Sequence, residues 1–495
     1  MTNNQHIDRA SPRTEVVPNS GRRGFLAKSS ALLATALMSR VVNPAKAANQ
    51  TPPNIVYIIS DDQGWKDVGF HGSDIKTPNI DKLASEGARL EQYYAQPMCT
   101  PTRAALMTGR YPFRYGLQTG VIPQGGKYAV ALDEYLLPQM LKDAGYATAM
   151  SGKWHLGQSK LEFWPHKRGF DSFYGAILGE INHFTHKADN GTSDWFRNSK
   201  PIKEEGFDNI LFGREAVRVI NKHDGKNPLF LYLAFTAPHT PFQAPKEYIE
   251  RYSSIADESR RTYAAMISVM DDQIGKVVAA LEKRGMRDNT LIVFQSDNGG
   301  VVNAMFAGES AVKGKLPADN GPYRDGKGTT YEGGTRVAAL VNWPGKIKPG
   351  VVDGMMHVTD MLPTLASVAG TTAAKSKPLD GMDMWPTIAE GKPSPRTEVV
   401  YNIDPTGGAV RQGDWKLVWT TTMPPRAELF DIVKDPSEKN NLAEQNPEVV
   451  KKLQARMVEL ASQMSPPLFL LEALKITLHA DTALPDLSQM LNVAD

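Results

Sequence analysis

The chain has 495 residues, of which 41% are hydrophobic and 22% are charged. This balance is typical of a globular protein and excludes a disordered or a fibrous chain. Because a single hydrophobic core stops growing near about 250–300 residues, the length predicts a large domain with a smaller one beside it.

The N-terminal segment, residues 1–47, has the composition of a targeting signal. The pair Arg22-Arg23 precedes a weakly apolar run over 31–38, and Ala45-Lys46-Ala47 offers the small residues that a signal peptidase reads. The run is shorter than the roughly 20 apolar residues of a membrane span. The pattern resembles a twin-arginine signal, which predicts export by the twin-arginine machinery to the periplasm or the medium of a bacterium, without a stable membrane anchor. A disordered basic tail is the alternative interpretation.

The basic charge of the chain is concentrated in that segment. Residues 1–47 hold seven basic and two acidic side chains, a net charge of +5, whereas the whole chain carries +2. Subtracting the +5 of the segment from the +2 of the chain leaves −3 for residues 48–495. Because nucleic-acid binding needs a basic surface on the folded part, we expect no nucleic-acid partner.

Strand-like and helix-like segments alternate over residues 48–375. Short apolar, β-branched runs predict buried strands at Asn54–Ser60, Leu229–Phe235, Thr290–Ser296 and Arg336–Trp343. Helical spacing with proline and glycine at the ends predicts helices at Thr77–Glu86, Leu132–Ala144 and Glu258–Lys283. This alternation predicts an α/β domain with a largely parallel sheet over residues 48–375.

The pattern changes after about residue 376. Shorter strand-like segments lie at Val399–Asn402, Trp415–Trp419 and Glu428–Ile432, and a helix follows over Pro447–Gln463. They predict a smaller antiparallel domain with one packed helix over residues 376–464. For residues 465–495, a docked helix and a mobile tail are both compatible with the sequence.

Acidic, amide and histidine side chains follow three of the predicted strands. Asp61-Asp62 follows the first, His239 comes shortly after the second, and Asp297-Asn298 follows the third. Since ligand crevices in open α/β sheets lie beyond the carboxyl ends of the strands, we expect these side chains on one rim. Carboxylate and amide oxygens suit Ca²⁺ or Mg²⁺ rather than zinc, so Asp61, Asp62, Asp297 and Asn298 predict a site for such a cation.

The only cysteine of the chain lies in the segment Cys99-Thr100-Pro101-Thr102-Arg103. Pro101 suits the first turn of a helix, which places Cys99 at a helix N-terminus, where backbone N–H groups and the helix dipole favour an anion. A cysteine in that position is expected to have a lowered pKa and to be reactive. Arg103 lies one helical turn later and is expected to point toward the same anion.

His155 and His239 are the candidates for proton transfer, because histidine titrates closest to neutral pH. His239 lies in a turn between two prolines. His155 lies two residues after Lys153, so in an extended segment both side chains would point the same way. His183 and His186 are a further hypothesis for the wall of a substrate pocket.

The segment Cys99–Arg103, with Leu106-Met107-Thr108-Gly109-Arg110 after it, resembles the signature of the type I sulfatases, which belong to the alkaline-phosphatase superfamily. Further blocks resemble that family in the family's order: Asn54–Gly64, Gly152–Gly157, Ala237–His239, Ser296–Gly300, Gly326–Gly334, Gly413–Leu417 and Leu429–Asp431. The resemblance covers roughly residues 53–460. Lys377–Gly381 and Pro393–Arg396 are most similar to the arylsulfatase B branch, which includes N-acetylgalactosamine 4-sulfatases.

The resemblance implies an alkaline-phosphatase-like fold, with a large mixed sheet flanked by helices, and an arylsulfatase-like sulfuric ester hydrolase. It implies that a maturation enzyme oxidises Cys99 to formylglycine, whose hydrate is the nucleophile and a ligand of Ca²⁺, together with Asp61, Asp62, Asp297 and Asn298. At the matching positions, Arg103, Lys153 and Lys327 stabilise the charge of the ester, and His155 and His239 carry protons. The implied partner is a sulfated small molecule or a sulfated glycan, cleaved through a covalent sulfo-enzyme.

Two alternatives stay open on the sequence. A phosphonate monoester or phosphodiester hydrolase of the same superfamily can share the Cys-x-Pro-x-Arg motif and the metal ligands. A catalytically inactive protein of the same fold would bind sulfated glycans and leave Cys99 unmodified. Discrimination between sulfate and phosphate esters rests on the charge of the ester and on contacts in the pocket, which the motifs do not specify.

Overall fold

The structure is a computed structural model that describes residues 52–307 and 315–477. These residues belong to one compact unit, so the domain boundary between residues 375 and 376 stays a prediction. The targeting signal predicted for residues 1–47 lies outside the described residues, as does the end of the tail, residues 478–495. Among the described residues, none of the helices has both the length and the apolar character of a membrane span.

Three sheets contain the strands of the described residues. In chain order the strands are β1 (Asn54–Ser60), β2 (Ala88–Leu90), β3 (Tyr93–Tyr94), β4 (Ala147–Gly152), β5 (Ser172–Gly175), β6 (Phe196–Arg197), β7 (Lys200–Pro201), β8 (Leu229–Ala234), β9 (Thr290–Ser296), β10 (Ala339–Asn342), β11 (Gly350–Val352), β12 (Met356–His357), β13 (Glu398–Asp404), β14 (Gly407–Gln412), β15 (Trp415–Thr420) and β16 (Arg426–Asp431). A small parallel pair joins β12 to β3.

The α-helices of the described residues vary widely in length. In chain order they are α1 (Pro78–Ser85), α2 (Cys99–Thr108), α3 (Leu137–Asp143), α4 (Asp208–Lys222), α5 (Lys246–Glu250), α6 (Glu258–Lys283), α7 (Glu332–Thr335), α8 (Met361–Val368), α9 (Trp385–Glu390), α10 (Pro447–Ala461) and α11 (Leu468–Thr477). The longest, α6, begins with the Asp257 side chain accepting a hydrogen bond from the Arg260 N–H, which caps the helix.

The largest sheet has ten strands in the order β11-β2-β10-β9-β1-β8-β4-β5-β6-β7. Its centre, from β9 to β5, is parallel, whereas β10 and β6 run antiparallel to their neighbours there. β1 pairs with β9 along its whole length, from Asn54 opposite Thr290 to Ser60 opposite Ser296. This register brings the carboxyl ends of β1, β8 and β9 to the same edge of the sheet.

Alternate residues of β1 face opposite sides of the large sheet. Ile55, Tyr57 and Ile59 pack in the core that includes α2, α3 and α8, while Val56 and Ile58 pack in the core that includes α1, α4 and α6. All five side chains are fully buried. A sheet covered by helices on both faces therefore explains why the sequence of β1 is apolar throughout.

The strands β13–β16 form an antiparallel sheet in sequence order. On one face, Leu417 and Leu429 pack with Leu453 and other apolar residues of α10. On the other face, the sheet shares a buried cluster with Tyr94 and Tyr331, which belong to the segments around the large sheet. The architecture confirms the predicted fold class: a large mixed sheet flanked by helices, and a smaller antiparallel sheet with one packed helix.

The structure confirms β1, β9 and α6 with the predicted bounds and corrects other elements. The helix predicted at Leu132–Ala144 starts only at Leu137, since Pro138 fits the first helical turn and the Leu136 N–H donates to the Gln139 side chain at 2.9 Å. The strand predicted at Arg336–Trp343 is limited to β10. Several elements were missed, among them β4 in the parallel centre of the large sheet, β14, whose two glycines are unusual in a strand, and α4, an amphipathic helix.

Candidate active site

The predicted rim residues meet where β1 and β9 end and α2 begins. Asp61 and Asp62 follow β1, Asp297 and Asn298 follow β9, and Cys99 is the first residue of α2; none of the five is more than 3% exposed. Backbone hydrogen bonds fix the chain just after β1 and β9. The Asp61 N–H donates to the carbonyl of residue 237 at 3.0 Å, and the Asp297 N–H donates to the carbonyl of residue 60 at 3.1 Å. The parallel register thus places all five around one point.

The distances within this group are short. Cys99 Sγ lies 3.4 Å from Asp61 Oδ1 and 3.9 Å from Asp62 Oδ1. One possible ligand atom from each of Asp61, Asp62, Cys99 and His239 lies within 4.8 Å of the other three. Asn298 Nδ2 donates to Asp62 Oδ1 at 2.8 Å, and the Asp62 N–H donates to Asp297 Oδ1 at 3.1 Å.

Two observations show that the group fits a hard divalent cation. Asn298 Oδ1 is buried and has no hydrogen-bond partner in the described part of the chain, although buried acceptors are normally paired. Burial, together with the charge of Asp61, raises the pKa of Asp297 to about 7 despite the neighbouring Arg103. A cation among these oxygens would use the free acceptor and offset the excess negative charge, and oxygen donors are the ligands that Ca²⁺ prefers.

Two buried cations hold the carboxylates. The Arg103 guanidinium donates to Asp297 Oδ2 from Nη2 at 2.9 Å and from Nε at 3.2 Å, and the Lys153 ammonium bonds to Asp61 Oδ2. Burial alone would raise the pKa of Asp61, but Lys153, His239 and Arg103 hold it well below its usual range. Arg103 was expected to point at the anion site of residue 99; the structure directs it at Asp297, so its most direct effect is on the carboxylates.

Lys327 approaches the same group from a glycine-rich turn. Its Nζ lies 2.8 Å from Asp62 Oδ2 and 3.3 Å from His239 Nε2. The turn packs tightly on the residues after β9: a Cβ atom on Gly299 would lie 1.8 Å from the Gly333 carbonyl oxygen, so only glycine fits there. The glycines therefore let the Lys327 ammonium reach the carboxylates.

The predicted lowering of the thiol pKa of Cys99 is wrong. Cys99 does lie at the N-terminus of α2, but burial, followed by the charge of Asp297, raises its pKa well above the ordinary value. Desolvation and nearby carboxylates outweigh the helix dipole and the lysines at this position. The unmodified side chain is therefore held as a neutral thiol, which is a poor nucleophile.

His155 and Lys153 do not extend in parallel, as the sequence had suggested. His155 has φ +59°, a left-handed conformation that turns the chain, and its backbone N–H donates to the carbonyl of residue 177 at 3.0 Å. Its Nε2 lies 3.1 Å from the Ile122 carbonyl oxygen, which can only accept, so Nε2 carries the proton. Nδ1 is buried without a partner among the described residues and is left as an acceptor.

His239 is neutral in this environment. Its Nδ1 donates to the Thr240 carbonyl at 2.7 Å, which leaves Nε2 facing Lys327 and Asp62. Burial lowers the pKa of His239 to about 4, and the charge of Lys327 adds to this effect while Asp62 opposes it. Lys327 therefore carries the proton at this end of the site, and His239 Nε2 accepts a hydrogen bond from it.

His183 and His186 do not line the pocket, so that hypothesis is wrong. His183 lies behind His239, where its ring bonds to Asp208 at 2.9 Å and to the His239 carbonyl oxygen at 3.0 Å. His186 stacks on Trp195, with ring centroids 4.0 Å apart. His183 thus supports the turn that presents His239, and His186 belongs to the hydrophobic core.

These side chains open into a pocket of about 260 Å³. We use "the floor" for the charged group at its base: Asp61, Asp62, Cys99, Arg103, Lys153, Asp297, Asn298 and Lys327. We use "the wall" for the loop residues around its mouth: Val121–Gln124, Leu178–Glu180, Asp189, Met305 and Phe306. His155 and His239 lie between the two.

None of the wall residues was predicted from the sequence. Glu180 and Asp189 lie in irregular segments that carry no motif, and a single carboxylate in a loop is usually solvated. One local signal was present: Gly179 packs against the His155 ring, and a Cβ atom there would lie 2.2 Å from His155 Cε1. A glycine beside an acidic residue could have suggested close packing, but not its partner.

Comparison with known proteins identifies the family. Residues 53–371 match the family described as Sulfatase, and residues 325–463 match the one described as N-sulphoglucosamine sulphohydrolase, C-terminal. The chain belongs to the sulfatase family. Its architecture and the type I sulfatase resemblance are thereby confirmed, whereas the narrower likeness to arylsulfatase B stays a prediction.

Individual relatives agree with this assignment. Arylsulfatase J of Mus musculus is 37% identical over an alignment of 479 positions, which covers 85% of this chain and 78% of that protein. N-acetylgalactosamine-6-sulfatase of Mus musculus is 35% identical over an alignment of 395 positions, which covers 75% of this chain and 73% of that protein. The crystal structure of Ps i-CgsB in complex with k-i-k-neocarrahexaose is 34% identical with a TM-score of 0.76, covering 84% of this chain and 94% of that one.

This sulfatase is an enzyme that hydrolyses sulfate esters, as its family and relatives show. The comparisons do not support either alternative from the sequence. A phosphonate monoester hydrolase of Agrobacterium radiobacter shares the fold, with a TM-score of 0.57, but at 20% identity that likeness concerns the fold alone.

Proposed function

We propose that this sulfatase removes sulfate from a sulfated carbohydrate, with residue 99 as formylglycine and with Ca²⁺ as cofactor. The observation that carries the proposal is the position of Cys99 at the start of α2, on the floor of the pocket and 3.4 Å from Asp61. A carbohydrate is favoured because Ps i-CgsB was solved with a neocarrahexaose and a second relative is named for a sulfated sugar.

The calcium ion would be held by Asp61, Asp62, Asp297, Asn298 and residue 99. When bound, it would lower the pKa of a hydroxyl on residue 99 and offset the charge of the carboxylates. The side chains of Arg103 and Lys153 keep the carboxylates in place through the contacts at Asp297 and Asp61. The carboxylates then need little rearrangement to receive the cation.

In the first step, residue 99 is an aldehyde hydrate with two hydroxyls. One hydroxyl, which has released its proton to solvent, attacks the sulfur in line through its oxygen, and the bond between sulfur and the sugar oxygen breaks. The leaving oxygen takes a proton from Lys327 or His239. The Lys327 ammonium is the protonated group of this pair, because the pKa of His239 is depressed to about 4 by burial. Lys327 also stabilises the negative charge that develops on the leaving oxygen.

In the second step, the sulfate leaves residue 99. His155 Nδ1 takes the proton of the second hydroxyl, the bond between carbon and the sulfate oxygen breaks, and the aldehyde forms again. The structure prepares His155 for this role, because Nδ1 is its unprotonated nitrogen and burial with Lys153 keeps its pKa well below the usual value. A serine at this position has only one hydroxyl and could not expel sulfate in this way.

The burial of Cys99 constrains when its oxidation can occur. Its side chain is 1% exposed, so an enzyme could not reach it after folding. We therefore place the maturation enzyme before folding, in the compartment where the chain is made. Export of the folded product by the twin-arginine machinery, read from residues 1–47, is compatible with that order, and periplasmic or secreted localisation follows from it.

The mass of the mature protein tests the modification. Conversion of Cys99 to formylglycine makes the chain about 18 Da lighter. We expect this shift in protein that hydrolyses 4-nitrophenyl sulfate, with much lower activity on bis(4-nitrophenyl) phosphate. Active protein that retains the thiol, or a preference for the phosphodiester, would contradict the proposal.

Removal of calcium tests the metal assignment. Chelation should abolish hydrolysis of 4-nitrophenyl sulfate and lower the unfolding temperature, because a ligand that binds only the folded state stabilises it. Adding Ca²⁺ back should restore both. Full activity in protein that contains no calcium by elemental analysis would exclude the ion as the cofactor.

A further inference from the structure

The wall of the pocket carries negative charge that the sulfate chemistry does not need. Glu180 and Asp189 line the same pocket as Cys99, His155 and Lys327. A sulfate ester is anionic, so carboxylates beside it are unfavourable unless they serve another part of the substrate. Their presence indicates a second function of the pocket, directed at the sugar ring.

Among the described residues, Glu180 forms no ion pair with a cation. Its Oε1 accepts a hydrogen bond from the Thr240 hydroxyl at 3.3 Å, and within the described residues neither Glu180 nor Asp189 belongs to a salt bridge. Burial, together with the charge of Asp189, raises the pKa of Glu180 to about 7, although Lys327 and Lys153 oppose this effect. Glu180 is therefore a carboxylate mainly above pH 7, and in that form a second anion beside it would be unfavourable.

The other side chains of the wall are mainly apolar. Ile122, Pro123, Leu178 and Phe306 surround the mouth of the pocket together with Met305, whose side chain is 80% exposed. They can pack on the carbon face of a sugar ring but cannot pair with an anion. The side-chain ammonium that lines the pocket in the described structure is that of Lys327, on the floor.

We propose that Glu180, assisted by Asp189, selects sugars with free hydroxyls next to the scissile sulfate and rejects a second sulfate or a carboxylate on the same ring. This inference rests on the proposed function. A carboxylate accepts strong, charge-assisted hydrogen bonds from hydroxyls, whereas it repels a second anion. The substrate class is thus a hexose or hexosamine that is sulfated once on the ring being cleaved.

The experiment compares matched substrates on the mature, calcium-loaded enzyme. Monosulfates of galactose and of N-acetylgalactosamine are assayed, and the best one is compared with disulfates that contain the same scissile bond. 4-Nitrophenyl sulfate, which has no ring hydroxyls, is the reference. We expect kcat/KM for the monosulfate to exceed that for each disulfate by at least about tenfold, the effect of one charge contact in a partly buried site.

The variants Glu180→Gln and Asp189→Asn identify the cause of the discrimination. Glu180→Gln should raise kcat/KM for the disulfates about fivefold or more and lower it for the monosulfate, while 4-nitrophenyl sulfate changes less than twofold. Asp189→Asn should change kcat/KM for both kinds of sugar substrate in the same directions but by smaller factors, because Asp189 is exposed. Glu205→Gln, an exposed carboxylate outside the pocket lining, is the matched control and should change nothing.

The outcomes separate this inference from the proposed function. If 4-nitrophenyl sulfate is not hydrolysed by protein with formylglycine, the proposed function fails. If it is hydrolysed but the disulfates are cleaved as well as the monosulfate, the inference alone is overturned. It is also overturned if Glu180→Gln changes all substrates by the same factor. If no sugar sulfate is cleaved, the carbohydrate part of the proposed function fails together with the inference. Formylglycine content, measured by mass for each variant, normalises the rates.

Discussion

The floor and the wall of the pocket are built in different ways. Most floor residues directly follow β1, β4 or β9 or belong to α2, where hydrogen bonds between strands and within the helix set their positions, and Lys327 comes from the glycine-rich turn. Wall residues come from loops that are distant in sequence and are held by contacts with other parts of the chain. Cys99 is 1% exposed, whereas Met305 is 80% exposed.

This difference separates chemistry from selection. A change on the floor disturbs a buried network of charges in which each side chain pairs with the next, so it should impair both catalysis and folding. A change in the wall alters the contacts of one loop and leaves the network intact. We therefore expect large and general effects from the floor, and small, substrate-dependent effects from the wall.

The largest effect is expected for Cys99→Ser on the floor. Serine cannot form the aldehyde hydrate, so we expect at most one sulfate transferred per enzyme molecule and a trapped sulfo-enzyme that is about 80 Da heavier, the mass of a transferred SO₃ group. Multiple turnover should fall by at least about 10⁴-fold, as for other lost nucleophiles. Rapid-quench measurement of sulfate release, with intact mass, checks this. Sustained turnover by the serine variant would exclude the two-hydroxyl scheme.

The next largest effect is expected for Arg103→Gln. This side chain is fully buried, and its loss removes the two hydrogen bonds that Asp297 Oδ2 accepts from it. Removing one member of a buried ion pair costs about 3–5 kcal/mol, which urea unfolding should detect. Hydrolysis of 4-nitrophenyl sulfate should fall by about 10³-fold, because Asp297 is then free to move within the network.

Arg114→Gln is the matched control for Arg103→Gln. Arg114 also makes a bidentate contact with a carboxylate, Asp380, but it is 22% exposed and lies outside the lining of the catalytic pocket. We expect a loss of about 1 kcal/mol in the free energy of unfolding and little change in activity. Equal losses for both variants would show that the floor is no more sensitive than a surface pair.

The floor was predictable because its signals are local. A buried strand followed by Asp61-Asp62, and another followed by Asp297-Asn298, specify both the residues and the edge of the sheet where they lie. The start of α2 at Cys99 could be read from Pro101. The protonation state of Cys99 could not be predicted from the sequence. Its raised pKa results from burial beside Asp297, which is distant in sequence.

The wall was not predictable for the opposite reason. Glu180 gains meaning only from its position in the same pocket as Lys327, and nothing in the residues around Glu180 encodes that position. The direction of the Arg103 side chain and the turned conformation of His155 also result from tertiary contacts. Resemblance to a family supplied residue identities but not these orientations.

The C-terminal helix α11 supports part of the wall. The Leu468 N–H donates to the Gly116 carbonyl at 2.9 Å, and a Cβ atom on Gly120 would lie 3.5 Å from the Phe469 ring. The Lys127 N–H donates to Glu472 Oε1 at 3.1 Å. Between these contacts lies Ile122, whose carbonyl oxygen holds His155 Nε2. The first part of the tail is thus a docked helix that anchors the loop of residues 116–127.

The double variant Leu468→Ala/Phe469→Ala should weaken this anchor. We expect kcat for 4-nitrophenyl sulfate to fall about tenfold, because one hydrogen bond worth about 1.4 kcal/mol orients His155. The free energy of unfolding should change much less than in Arg103→Gln. The control is Val458→Ala, an exposed apolar residue of α10, which should retain full activity. Unchanged kcat in the double variant would show that the loop holds its position without α11.

The smallest effect is expected for Asp194→Asn beneath the wall. Asp194 accepts hydrogen bonds from the Ile177 N–H at 3.0 Å and the Leu178 N–H at 2.7 Å, just before Glu180. Asparagine has one acceptor oxygen, so one of the two buried N–H groups loses its partner, at a cost of about 1 kcal/mol in the free energy of unfolding. A small displacement of the wall should follow.

That displacement should be visible only with a sugar substrate. We expect Asp194→Asn to lower kcat/KM for the best sugar monosulfate about threefold, which corresponds to a loss of binding free energy well below about 1.4 kcal/mol. The kcat/KM for 4-nitrophenyl sulfate should change by less than about 1.5-fold. Asp224→Asn, an exposed carboxylate remote from the pocket lining, controls for the loss of charge. The N–H of His155 donates to the carbonyl of residue 177, so a displacement of residues 177 and 178 could also reach His155. If kcat/KM falls equally for both substrates, the change has been transmitted by this route and the wall is coupled to catalysis.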